Sequence, residues 1–258
     1  MPGLPLHQSY RGMTRFVALG DVHDEWMRAS SILGQFEADD YDFCLQVGDA
    51  QPCRTEEDLT GLSVPNKYRK MGDFPRVLTG EITFSRPLFF IGGNHEPWLF
   101  LDEHGPGPIC NRIEYLGRAG VRDIGGLTVG FLSGNYSPTI SHNINASRLS
   151  VRHRTYFTQA DIDVLLAADK QIDVMMTHIW PRGLDWDGTD IGCPLFDQLL
   201  ALRPRLWICG HMHRSQLAKV NQGDTQVVAL GAVPHWQPGA AALIEMTTDT
   251  ARVLKLSL

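Results

Sequence analysis

No two cysteines of this chain are spaced as Cys-x-x-Cys, and its five (Cys44, Cys53, Cys110, Cys193 and Cys209) are odd in number and widely spread. Neither a zinc finger nor a disulfide framework organises such a sequence. Cys44 and Cys209 fall in apolar runs, where a buried, inert thiol is expected. No apolar run approaches the roughly 20 residues of a membrane span, and the first residues lack the basic-then-apolar order of a secretory signal. The expectation is a cytoplasmic protein with no membrane partner. Basic residues are also in short supply: 23 Lys and Arg against 29 Asp and Glu give a net charge of −6. That balance argues against duplex DNA as a partner, which needs a broad basic face, but leaves room for a small cationic site. Internal repeats are absent, and Asn145-Ala146-Ser147 is a glycosylation sequon without a secretory context.

The 258 residues, 43% of them hydrophobic, suffice for one large α/β domain. Residues 1–12, rich in Pro and Gly, read as a disordered leader, with Met13 an alternative start and 13–258 the domain. The apolar run 16–19 reads as a buried strand. An amphipathic helix over 24–37 (Trp26, Ala29, Leu33, Phe36) and a strand over 42–47 complete a βαβ unit. Residues 51–86 form a long excursion before a strand at 87–91, and loops of that length carry function. A hairpin is expected over 121–133 about Gly125-Gly126, then an irregular stretch and candidate recognition loop over 137–156. Thr158 and Asp161 form a capping box opening a helix to about residue 168. A strand at 172–176, a helix near 195–202, a strand at 205–209 and closing strands at 226–230, 240–246 and 252–256 follow.

Five strand ends carry metal-type ligands: Gly20-Asp21-Val22-His23, Gly48-Asp49, Gly93-Asn94-His95, Thr177-His178 and Gly210-His211-Met212-His213. In open α/β sheets such ends converge. One histidine beside an apolar run is commonly a core residue; five ends together point to a metal centre. Oxygen and imidazole donors without thiolate suit two divalent ions, Mn²⁺ first, with Fe and Zn²⁺ as alternatives. With one aspartate shared, each ion keeps open positions. Such pairs lower the pKa of bound water and clamp an in-line displacement at phosphorus. His95, one residue past a ligand, is placed to protonate the leaving oxygen as general acid, a structural histidine being the plainer alternative.

These motifs resemble the five of the calcineurin-like metallophosphoesterases and span residues 21–213. The resemblance implies an α/β, four-layer αββα sandwich, two mixed sheets flanked by helices. It implies one metal on Asp21, His23 and His213, the other on Asn94, His178 and His211, with Asp49 bridging and His95 at the leaving group. Between the motifs, residues 64–71 (Val64-Pro65 … Lys67-Tyr68-Arg69 … Met71), Gly80-Glu81, residues 115–121 and Trp180-Pro181-Arg182-Gly183 resemble the RNA lariat debranching enzymes. Those enzymes cut 2′-5′ phosphodiesters at intron branch points. Two departures stand out. That family's first motif carries Cys where this chain has Asp21, making this site less zinc-leaning, and the sequence stops soon after the catalytic core.

Lys67, Tyr68 and Arg69 would hold a substrate phosphate and stack on a base, a solvated basic turn being the alternative. Arg182, four residues past His178, would reach phosphate too. Arg148, Arg152, His153 and Arg154 leave residues 145–156 without an acid, which suits either a recognition loop or a charged surface loop. Trp26, Trp98 and Trp236 are assigned to the core, and His7, His104, His142 and His235 to surface or core. The function expected is a dinuclear metal-dependent phosphodiesterase acting on nucleotide or RNA diesters, 2′-5′ or 2′,3′-cyclic ones included, by metal-activated hydroxide attack. A phosphomonoesterase or protein phosphatase of the same superfamily is the alternative, and a non-catalytic protein-binding scaffold the remote one.

Overall fold

The run at 16–19 is apolar at every position because both of its faces are covered. The computed structural model describes residues 12–142, 150–235 and 238–257. In it, β1 (Met13–Leu19) sends Phe16 and Ala18 into one core and Val17 and Leu19 into another. Next come α1 (Trp26–Gly34), β2 (Phe43–Gln46), α2 (Phe74–Leu78), β3 (Leu88–Phe90), α3 (Trp98–His104), β4 (Gly107–Cys110), β5 (Ile113–Tyr115), β6 (Ala119–Ile124) and β7 (Leu127–Leu132). The second half adds α4 (Val151–Arg154), α5 (Gln159–Leu166), β8 (Val174–Thr177), a small hairpin of β9 (Asp185–Trp186) and β10 (Thr189–Asp190), and α6 (Asp197–Leu200). It closes with β11 (Leu206–Cys209), β12 (Gln216–Val220), β13 (Thr225–Ala229), β14 (Ala241–Thr247) and β15 (Ala251–Leu256).

Two mixed sheets result. One runs β15-β14-β1-β2-β3-β5-β4 with β1, β2, β3 and β5 parallel. The other runs β12-β13-β11-β8-β7-β6 with β7, β8, β11 and β13 parallel. Phe16, Phe43, Leu45 and Phe89 of the first interlock with Phe131, Val174, Ile208 and Val228 of the second. The first sheet's other face lies under α1, α2 and α3 through Trp26, Phe74 and Trp98, and the second's under α5 and α6 through Ile162, Leu165 and Leu199. This is the expected α/β sandwich of two mixed sheets flanked by helices. Register matters most for function. Leu19 pairs with Gln46 and Gln46 with Phe90, so β1, β2 and β3 end level, and β8 and β11 end level likewise.

Several local expectations shift. α1 begins at Trp26 rather than at residue 24 because Asp24 holds a left-handed φ of 63°. The carboxylate of the distant Asp73 accepts the free N–H groups of Trp26 (2.5 Å) and Met27 (2.8 Å), doing the work of an N-cap. The helix near 195–202 is a tight turn, Pro194–Phe196, followed by the single turn of α6. The excursion at 51–86 packs its own small cluster of Cys53, Leu62 and Val64. The leader up to residue 11, the sequon, Arg148 and Trp236 lie outside the described residues. Among the described residues no helix is long and apolar enough to cross a membrane.

Candidate metal centre

Every candidate ligand follows a strand end: Asp21 and His23 after β1, Asp49 after β2, Asn94 and His95 after β3, His178 after β8, His211 and His213 after β11. The level ends of both sheets therefore bring residues remote in sequence together across the seam. His23 Nε2 and His213 Nε2 lie 2.9 Å apart, and His213 Nε2 is 3.1 Å from Asp21 Oδ2. On the other side, His178 Nε2 is 3.1 Å from both Asn94 Oδ1 and His211 Nδ1. Asp49 stands between, with Oδ1 3.4 Å from His178 Nε2 and Oδ2 3.8 Å from His23 Nε2. The His95 imidazole stands 4.9 Å from that of His23, edge to face, and its backbone N–H donates to Asp49 Oδ1 at 2.7 Å. His95 also lies close enough to His23 and Asp49 to form a third ligand grouping with them.

The glycines before the ligands have a steric cause. A Cβ on Gly93 would stand 2.2 Å from Asp49 Oδ1, and one on Gly210 2.2 Å from Asp21 Oδ1. Each glycine thus makes room for a ligand carried by another strand. His23, Asp49, His211 and His213 themselves occupy left-handed backbone at φ of 47°, 53°, 70° and 52°. Non-glycine residues adopt that region at a cost that surrounding bonds must offset. Two buried side chains supply such bonds. Glu96 accepts the N–H groups of Ala50 (2.9 Å), Gln51 (2.8 Å) and Gly93 (3.1 Å). Gln46 ties the carbonyls of Gly20 (3.1 Å) and Gly48 (2.6 Å) together.

Asp21, Asp49 and His178 are buried, whereas His23, Asn94, His95, His211 and His213 are part-exposed and reachable by a ligand. Burial pulls His23 down, the nearby carboxylates only partly resisting. Burial and then the charge of His178 pull His211 down to about 4. Both rings are therefore neutral at neutral pH, the form that binds metals. Burial opposes the His178 imidazolium, yet Asp49 and Asp21 outweigh it and lift it to about 9. Burial likewise opposes the Asp49 charge, and His178, His23 and His95 hold it well below the usual carboxylate range. A hydrogen bond to Asp21 raises His213.

A family model described as calcineurin-like phosphoesterase matches residues 14–215, the stretch that holds all these ligands. The chain belongs to the calcineurin-like phosphoesterases. Among curated proteins it is 31% identical over 209 residues to the lariat debranching enzyme of Schizosaccharomyces pombe, covering 69% of this chain and 44% of that one. It is 30% identical over 245 residues to the lariat debranching enzyme of Entamoeba histolytica, covering 84% of this chain and 68% of that one. The chain thus spans from under half to two thirds of these relatives' length. Among solved structures, GAP50, the anchor in the inner membrane complex of Plasmodium, shares the fold at a TM-score of 0.57 and 13% identity, covering 95% of this chain and 88% of that one. A Thermus thermophilus protein, TT1561, does so at a TM-score of 0.56 and 10% identity, covering 93% and 98%.

The donor set of this calcineurin-like phosphoesterase fits divalent ions on its own geometry. Ions bound octahedrally at about 2.0–2.2 Å set neighbouring ligand atoms about 3 Å apart. The 2.9 and 3.1 Å contacts between ring nitrogens match that spacing and demand a proton or a cation between them. Beside Asn94, a cavity of about 550 Å³ is lined by Arg69, Arg152, Asn135 and Tyr156 among others. Arg69 reaches it while donating to the Val64 carbonyl at 3.1 Å. The structure does not bring Lys67 or Arg182 to this lining. Arg182 instead sits in an exposed pair with Asp197 at 3.4 Å. The side chain of Tyr68 is outside what the structure describes. Trp26 and Trp98 are in the core as expected.

Asn135 escaped sequence reasoning. Its Nδ2 lies 3.5 Å from Asn94 Oδ1. The local signal was present, since Leu132-Ser133-Gly134-Asn135 repeats the pattern of apolar strand, glycine and polar ligand at the end of β7.

Proposed function

We propose that this chain is a two-metal phosphodiesterase acting on nucleotide or RNA diesters, 2′-5′ and 2′,3′-cyclic linkages among them. The observation that carries the reading is the pair of N/O ligand clusters joined by one buried aspartate, Asp49. The lariat debranching enzymes among its relatives support the diester and RNA classes. Asp21, His23 and His213 would hold one ion, Asn94, His178 and His211 the other, and Asp49 both. Divalent ions there, Mn²⁺ by donor type with Fe and Zn²⁺ as alternatives, would acidify water and neutralise charge on the phosphoryl oxygens. The backbone N–H of His95 fixes the Asp49 carboxylate at 2.7 Å. The His95 imidazole, part-exposed at the edge of the cluster, gives its proton to the leaving oxygen. Arg69 grips a non-bridging phosphate oxygen with its planar fork. Five free thiols suit a reducing compartment such as the cytoplasm.

The test is a Mn²⁺-activated panel of 2′-5′ and 3′-5′ dinucleotides, 2′,3′-cyclic nucleotides, bis(p-nitrophenyl) phosphate and monoesters, run on wild type, His95→Ala and Asp49→Ala. Diester cleavage is expected. His95→Ala should keep its metal and lose about 100-fold or more in rate, and Asp49→Ala should lose both. Cleavage of monoesters alone would sink the diesterase reading, and metal loss in His95→Ala would make His95 a ligand rather than an acid.

A further inference from the structure

A second cavity, of about 380 Å³, opens on the other side of Asn135 and is bordered by His211. Its size falls within the range of small-ligand pockets. Its chemistry contrasts with that of the first. Arg69 and Arg152 line the cavity beside Asn94. No Asp, Glu, Lys or Arg lines this one, where Tyr136, Trp180, Ile191, Pro194 and Met212 supply flat and apolar surface. A phosphate has no cationic partner in such a lining, whereas a planar group with apolar faces does well there. The wall also holds an unpartnered polar atom. The buried Trp180 indole N–H has no acceptor among the described residues. Trp26 and Trp98 also lack one, but Trp180 is the indole of the three that lines a described cavity. Buried indole N–H groups normally find a partner, and this one, in the wall of the cavity, is left without one. Both cavities meet at Asn135 and each touches a candidate ligand, Asn94 in one and His211 in the other. A diester at the candidate metal centre therefore borders both cavities.

We propose that the cavity beside His211 is a nucleobase subsite, taking the base of one of the two nucleosides joined by the scissile diester. The proposal rests on the phosphodiesterase reading and deepens it. The substrate is a diester with a base on the arm that enters this cavity, and an aromatic platform rather than a charged one selects it. The Tyr136 ring, part-exposed, backed by Phe157 and held by its hydroxyl on His142 Nε2 at 2.9 Å, forms one wall at the edge of the core.

The experiment compares a dinucleoside monophosphate with its two abasic analogues, each lacking one base, on the Mn²⁺-loaded enzyme. Base stacking changes affinity by about tenfold. One abasic analogue, and not the other, is therefore expected to lose about tenfold in kcat/KM. In Tyr136→Ala, and in Ile191→Asp at a 39% exposed position, the ratio of intact to abasic substrate should fall toward one. In parallel, adenosine added to the metal-free wild-type protein should quench tryptophan fluorescence saturably, with an affinity about tenfold weaker in either variant. Equal kcat/KM for the intact and both abasic substrates, or an unchanged ratio in both variants, would overturn the subsite. Failure to cleave any diester, the dinucleotide and bis(p-nitrophenyl) phosphate included, would overturn the diesterase reading instead. Adenosine quenching then decides the subsite by itself, its absence removing the proposal.

Discussion

Replacing Gly93 by alanine adds one methyl group at the crowded centre of the site. The new Cβ would lie 2.2 Å from Asp49 Oδ1 and 2.5 Å from Asp49 N, against an ordinary contact of 3.4 Å, a deficit of about 1.2 Å. Asp49 cannot swing aside freely, because His95 N–H and His178 hold its Oδ1. Gly93 has no left-handed φ, so an alanine there meets the clash without added backbone strain. Overpacking of this kind costs about 1–3 kcal/mol, a fall in Tm of about 3–10 °C in a chain of this size. Metal affinity should suffer more. Ligand distances tolerate about 0.2 Å and a displaced support costs about 10–100-fold, so moving the shared aspartate by most of an ångström predicts a loss of about 100-fold or more. Gly34→Ala is the control, since its Cβ meets nothing within 4 Å and it lies in α1, where alanine is favoured by up to about 1 kcal/mol. Calorimetric titration with Mn²⁺ beside thermal unfolding separates the two terms. A Gly93→Ala protein that binds Mn²⁺ within threefold of wild type would refute the steric account of the glycine.

Two further expectations follow from burial and position. Arg69→Ala should raise KM for a nucleotide diester about tenfold by removing a charged hydrogen bond. Arg182→Ala, in its solvent-facing pair with Asp197, should stay within twofold, and the reverse order would move phosphate contact to the β9–β10 side. The thiols should be sluggish. Cys44, Cys53, Cys193 and Cys209 are buried, and burial pushes Cys193 up to about 12 and the part-exposed Cys110 up to about 11. Because the thiolate is the nucleophile, alkylation of the native protein should start at Cys110 and rise about tenfold per unit from pH 8 to 10. Mass spectrometry showing rapid modification of two or more cysteines at pH 7 would contradict the packing.

The convergence of the strand-end donors was legible because strand, glycine and donor are adjacent in sequence, and level register does the rest. Asn135 carried the same signal but opens into the irregular stretch after β7, which hid it. Other features have no local signature. Asp73 caps α1 from 46 and 47 residues away, and Asp24 accepts the N–H of Gly72 at 2.6 Å, so the helix start was set by a loop no spacing rule connects to it. β12 alternates between half-buried and exposed over Gln216–Lys219, with only Val220 buried, too little apolar surface to read as a strand. The fates of Arg69 and Arg182 differ only in which cavity or solvent each meets, a property of the assembled fold.

The seam between the sheets has a consequence for how the protein is made. Asp21, His23, Asp49 and Asn94 hang from the first sheet, while His178, His211 and His213 hang from the second. A chain emerging from the ribosome therefore carries four of its seven candidate ligands long before the other three exist. The first sheet also waits, since β1 gains its antiparallel neighbour only when residues 241–247 arrive. Ions binding both halves would favour the finished state by mass action, about 2.7 kcal/mol at a hundred times the dissociation constant. Synthesis thus places chemical competence last. A nascent or truncated chain would be disarmed by its own topology.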